Sequence, residues 1–124
     1  MKIAISSSGK NLEAQVAPRF GRCPYFMIFD TDTMGFETIS NESAMTFGGA
    51  GVQAAQIVAK AGVKVVITGN VGPNAYQTLK AAGIRVFTEA SGTIKDAVAL
   101  YKKDKLQEIN APNVESHFGK GGKI

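Results

Sequence analysis

The chain has 124 residues, 44% hydrophobic and 19% charged, with a net charge of +4. This suits one folded domain with one core and excludes a disordered or fibrous chain. No stretch approaches the roughly 20 apolar residues that a membrane helix needs, Met1–Lys10 does not read as a signal peptide, and a single cysteine makes no internal disulfide. The expected compartment is the cytoplasm.

Lys2 to Ser7 alternates and is rich in Ile, predicting a first strand. Tyr25 to Asp30 and Gly35 to Ser40 predict two more, joined by Asp30-Thr31-Asp32-Thr33, whose short polar side chains suit a tight turn. After Glu42 the period changes. Gly51, Ala54, Ala55, Val58 and Ala61 form a helical apolar stripe closed by Gly62. Val63 to Thr68 is nearly all apolar, as in a strand covered on both faces. Pro73 opens a second helix, where its missing N–H is no loss, and Gly83 closes it. A strand follows at Ile84 to Phe87. The third helix carries Ile94, Ala97, Val98 and Tyr101 on one face, with Thr93 as its cap.

The order β-β-β-α-β-α-β-α predicts an α/β fold. Three antiparallel strands followed by two right-handed crossovers give a mixed five-stranded sheet, order 3-2-1-4-5, with helices on both faces. That arrangement resembles the ribonuclease-H-like architecture, which by itself assigns no function. The domain is expected over residues 1–106, with a flexible Gly-rich tail over 107–124.

Glycines mark the candidate chemistry. Gly48-Gly49-Ala50-Gly51 precedes the first helix, Gly69-Asn70-Val71-Gly72-Pro73-Asn74 joins the buried strand to the second, and Ser6-Ser7-Ser8-Gly9 ends the first strand. If strands one and four are neighbours, two of these loops open at a topological switch point, where open sheets bind ligands. The second helix would then aim its free N–H groups at a bound anion. The alternative is that these glycines only make turns and caps.

Familiar catalytic patterns are missing. Ser8-Gly9-Lys10-Asn11 is an incomplete phosphate loop, because Ala4 stands where its first glycine belongs and Asn11 replaces Ser or Thr. A Ser-His-Asp triad has only His117 to draw on. The first strand carries no carboxylate to hold a nuclease's metal ions. Basic residues cluster only at Lys102, Lys103 and Lys105, where they complement a helix C-terminus. Aromatic residues do not alternate with them, so nucleic acid is not the expected partner.

Cys23 follows Arg19-Phe20-Gly21-Arg22. Neighbouring arginines would favour the thiolate, a soft-metal ligand; the alternative is a small buried residue. One cysteine cannot enclose a structural zinc, but it could hold a preassembled cluster by one bond. His117 is the other natural ligand, and Met27, Met34 and Met45 offer thioethers or core packing. Arg19 and Arg22 are either anion contacts or surface charges.

Four segments together resemble the dinitrogenase iron–molybdenum cofactor biosynthesis family. They are Val16-Ala17-Pro18-Arg19-Phe20-Gly21-Arg22-Cys23-Pro24-Tyr25-Phe26, Gly48-Gly49-Ala50-Gly51, Gly69-Asn70-Val71-Gly72-Pro73-Asn74-Ala75 and Ala82-Gly83-Ile84. The resemblance runs from Met1 to about Leu106. It implies the ribonuclease-H-like fold and a role without catalysis: a protein that binds, carries or inserts an iron–sulfur or molybdenum–iron–sulfur cluster. Cluster donor and acceptor proteins would be its partners, with the chain a monomer or weak homodimer.

A metal–sulfur cluster is a bulky, soft anion, and a helix end, close-approach glycines and arginines suit it. The expected site is therefore Arg19, Phe20, Gly21, Gly48, Gly49, Gly51, Gly69, Asn70, Gly72 and Asn74, with Cys23 and His117 as metal ligands. A regulatory or interaction domain that binds a small anionic metabolite or a partner protein, without metal, is the rival reading.

Overall fold

The computed structural model describes residues 1–45 and 48–114. Its elements are β1 (Lys2–Ser7), β2 (Tyr25–Asp30), β3 (Phe36–Ser40), α1 (Ala50–Lys60), β4 (Val65–Ile67), α2 (Pro73–Ala81), β5 (Arg85–Thr88), α3 (Ile94–Lys102) and β6 (Gln107–Glu108). Short 3-10 turns stand at Phe20–Arg22 and Glu42–Met45.

One sheet runs in the order β3-β2-β1-β4-β5-β6. β1 pairs parallel with β4, and β4 with β5, while the β2, β3 and β6 pairings are antiparallel. The expected order 3-2-1-4-5 lies within it, but the sheet has six strands, not five. β6 escapes sequence reading because two exposed residues carry no period. Pairing defines it: Phe87 opposes Glu108, Thr88 opposes Gln107, and Arg85 closes a two-pronged ion pair on Glu108 at 2.7 and 3.0 Å. The segment read as an unpatterned tail from residue 107 thus starts inside the sheet.

Alternation along the strands separates two apolar layers. Ala4, Phe26, Ile28, Val66 and Val86 meet Ala54, Ala55 and Val58 of α1 and Leu79 of α2. Ile3, Ile5, Met27, Phe29, Val65, Ile67 and Phe87 meet Ile94, Ala97 and Val98 of α3. β4 is apolar throughout because both its faces are covered. Met27, a possible thioether ligand by sequence, is fully buried in the second layer. Each large apolar side chain so buried contributes about 1.5–3 kcal/mol. Thr93 caps α3 with a reciprocal capping box to Asp96.

The chain departs from β1 to β2 and β3 on one side and returns to β4 and β5 on the other. The switch point falls between β1 and β4. β3, like β4, runs parallel to β1, so α1 and α2 both begin at the same edge of the sheet. Among the described residues no helix is long and apolar enough to cross a membrane.

Candidate functional site

Two helices start side by side at the switch-point edge, and neither N-cap residue supplies a side-chain cap. α1 begins after Gly49 and α2 after Gly72, and neither first turn holds an acidic residue. The first backbone bonds within them are Gln53 N–H to Gly49 O and Tyr76 N–H to Gly72 O. The N–H groups of Ala50, Gly51 and Val52, and of Asn74 and Ala75, therefore precede the hydrogen-bonded ladder. Pro73 contributes none. α3, with its capping box, shows what the other two helices lack.

The ends touch. A Cβ built on Gly51 would lie 3.0 Å from Ala75 Cβ, so the first turns of α1 and α2 are in contact. A Cβ on Gly21 would lie 3.0 Å from both Gly51 N and Gly51 Cα. A Cβ on Gly69 would come within 2.8 Å of Pro18 Cα and 2.7 Å of Pro18 O. Gly21 and Gly69 are needed where backbone meets backbone, and Gly51 where the first turn of α1 meets the Ala75 methyl group, and no ligand has to be invoked for them.

Gly48, Gly49 and Gly72 differ. Gly48 and Gly49 are exposed in the left-handed region, at φ 62° and 71°. Among the described residues, a Cβ on Gly48 or Gly72 would meet nothing within 4 Å. These positions place no side chain of their own before the two helix ends.

The Arg19 segment is fixed beside them. The Ser6 hydroxyl bonds to Ala17 O and to Thr68 Oγ1, each at 2.7 Å, joining β1, the end of β4 and the segment before Arg19. Arg19 bridges Asn70, Phe20 N–H donates to Asn70 O at 3.1 Å, and Asn70 Nδ2 donates to Pro18 O at 3.2 Å. Arg19 itself is exposed. Arg22 Nη1 donates to Ala44 O at 2.9 Å, tying that arginine to the approach to α1. Asn74 is exposed at the start of α2.

Two expected contacts are elsewhere. Phe20 is 1% exposed, with its ring 5.2 Å from that of Phe26, so it belongs to the core. Cys23 is also 1% exposed and packs in the same apolar layer. Its thiol donates to Phe20 O at 3.3 Å, and Asn41 Nδ2 reaches its sulfur at 3.7 Å. Burial pushes the thiol up to about 12, outweighing the bonds that would favour its anion. Of the two readings of Cys23, the small buried residue is the one the fold matches, and the thiolate is not: adjacency to arginines in the chain gives way to desolvation in the fold.

Among the described residues no group of three or more His, Cys, Asp or Glu is placed to hold a metal ion. His117 lies outside the described residues, and nothing is described of the Met45 side chain. The donor set present, backbone N–H groups with an exposed guanidinium, fits an anion held without covalent bonds.

Sequence reasoning missed Asn113. Its side chain accepts from the Val71 N–H at 2.8 Å and donates to Asn70 Oδ1 at 3.2 Å. It lies in a stretch without periodicity, where no local signal marks it. Asn41 was missed too; its amide donates to Cys23 O at 2.8 Å and Gly21 O at 3.3 Å.

Comparison with known proteins places this arrangement. The profile of a family described as dinitrogenase iron–molybdenum cofactor matches residues 1–104. An uncharacterized protein of Methanocaldococcus jannaschii is 32% identical over 112 residues, covering 88% of this chain and 92% of the relative. The apo form of the orange protein from Desulfovibrio gigas superposes with a TM-score of 0.89 at 39% identity, over 91% of this chain and 96% of that one. A NifB-like protein from Thermotoga gives a TM-score of 0.77 at 38% identity, over 86% and 91%. With a profile match over residues 1–104, most of its length, the chain belongs to the dinitrogenase iron–molybdenum cofactor family.

Proposed function

We propose that the protein is a cytoplasmic, non-catalytic carrier of an anionic metal–sulfur cluster, iron–sulfur or molybdenum–iron–sulfur, which it receives from a donor protein and passes to an acceptor. The observation that carries this reading is the pair of touching, uncapped helix N-termini beside Arg19, approached across the open glycines Gly48, Gly49 and Gly72. Each helix end presents about half a positive charge, and a bulky anion needs backbone without side chains in its way. Family membership supports the cofactor role.

The cargo is held through hydrogen bonds and charge and not by the Cys23 thiol, which stays protonated and buried. Weak, non-covalent holding suits a protein that must release what it carries.

The test is anaerobic reconstitution with iron, sulfide and molybdate, followed by desalting, metal analysis and visible absorption. Stoichiometric metal with sulfide-to-metal bands is expected in the wild type and in Cys23→Ala, with about a tenfold weaker hold in Arg19→Gln, the loss of one charge-assisted contact. Wild type that retains no metal defeats the carrier reading. The same cleft chemistry would recognise a phosphate, so a thermal shift with nucleotides or phosphate alone would move the function to a metal-free anionic metabolite.

A further inference from the structure

Asn113 closes on the connection that feeds α2. Its Oδ1 accepts from Val71 N–H at 2.8 Å, and its Nδ2 donates to Asn70 Oδ1 at 3.2 Å and Gly69 O at 3.4 Å. Its own N–H donates to Val71 O at 3.2 Å. Both ends of the carboxamide and the main chain thus grip Gly69–Val71. An amide suits this place because it accepts from the one N–H while donating to two oxygens, which neither a carboxylate nor an apolar side chain can do. Val71 is 2% exposed, so with Asn113 in place its N–H is shielded from solvent.

The network continues beyond the loop. Asn70 passes it to Pro18 O and to Phe20 N–H, on either side of Arg19. The segment that carries Asn113 is anchored by Ile109 N–H on Val86 O and again at Asn113 itself. Between them, residues 110–112 border an open groove along Tyr76, Gln77 and Lys80 of α2. The grip is concentrated at residue 113.

We propose that Asn113 is a positioning residue for the cleft: it clamps Gly69–Val71 so that the α2 N-terminus and, through Asn70, the Arg19 segment keep the spacing an anion needs. This inference rests on the anion-carrier reading. By linkage, the clamp strengthens the hold on the anion and a bound anion protects the clamp.

The test compares full-length wild type, Asn113→Ala and Asn113→Asp. Amide exchange is measured at Val71 and in the core strands, with the half-life of metal retention after reconstitution from iron, sulfide and molybdate. Asn113→Ala should speed exchange at Val71 by about tenfold while exchange at Ile5 and Val66 changes little, a local opening and not a global one. Metal should leave it about threefold faster. Asn113→Asp keeps an acceptor for Val71 and so its protection, yet loses both donors, and its metal should also leave faster.

Unchanged Val71 exchange in Asn113→Ala overturns the proposal. So do equal acceleration at Val71 and the core strands, which would make Asn113 a general stabiliser, and wild-type retention in both variants. Failure of wild type to load metal refutes the carrier reading instead. The clamp is then judged on the amide resonances of Arg19, Phe20 and Gly21. Their shift in both variants upholds the positioning role, and their constancy overturns it.

Discussion

Cys23 shows how far the folded environment can reverse the chemistry of one side chain. Next to two arginines in sequence it reads equally as an activated thiol or as a small buried residue. In the fold it is a core residue whose ionisation is pushed up to about 12 by burial. The sign of the consequence follows from linkage. Below about pH 9, its ordinary value, the thiol is protonated in both folded and unfolded chains and contributes nothing to pH dependence. Above that the unfolded chain loses the proton while the folded chain keeps it, so this group's contribution falls by about 1.4 kcal/mol per pH unit until the folded value is reached. Denaturant midpoints should therefore drop more steeply between about pH 9 and 12 in wild type than in Cys23→Ala. Parallel profiles would mean that the thiol is not buried. A thiol reagent at neutral pH should likewise leave native Cys23 unmodified, because the reactive form is absent.

At the scale of elements, the glycines divide into two kinds that look alike in sequence. Gly69 lies against the Pro18 backbone, and no flexible side-chain end can move aside to admit a methyl group. Gly72 has φ −84°, a conformation open to any residue, and faces open space. Gly69→Ala should lower stability by about 2 kcal/mol or more through overpacking against backbone, read by chemical denaturation. Gly72→Ala should keep the wild-type midpoint and yet weaken cargo retention, since its methyl group enters the approach to α2. Equal midpoints for the two variants would contradict this packing. The elements themselves were largely legible. β1 and β2 match their predicted spans, and α2 begins at Pro73 as expected. Each announces itself through local period or a local breaker. β4 is shorter than its apolar run, Val65–Ile67 within Val63–Thr68, because strand length is set by the partners β1 and β5.

Across the whole molecule, the net charge of +4 and the two helix ends act together on an anion approaching the switch point. Exposed charges are screened over roughly 8–10 Å at 0.1–0.15 M salt, so attraction to the cleft should weaken as salt is added. Metal retention after reconstitution should fall steadily between low salt and about 0.5 M, where screening is strong. A salt-independent hold would point to direct metal ligation and against the backbone-and-arginine cleft.

The sequence by itself determined the alternation of strands and helices, the order of the first five strands, the two-sided core and the family. These depend on periodicity, on turn chemistry and on motifs that lie within short stretches of chain. Only the tertiary structure decided which glycines serve packing and which do not. It also decided that Cys23 is protonated and that Phe20 is core, that a two-residue strand extends the sheet, and that Asn113 reaches the loop before α2. Each of these depends on contact between segments distant in the chain, such as Gly21 with Gly51 or Val71 with Asn113. Burial and backbone approach are properties of the assembled core, and no local pattern encodes them.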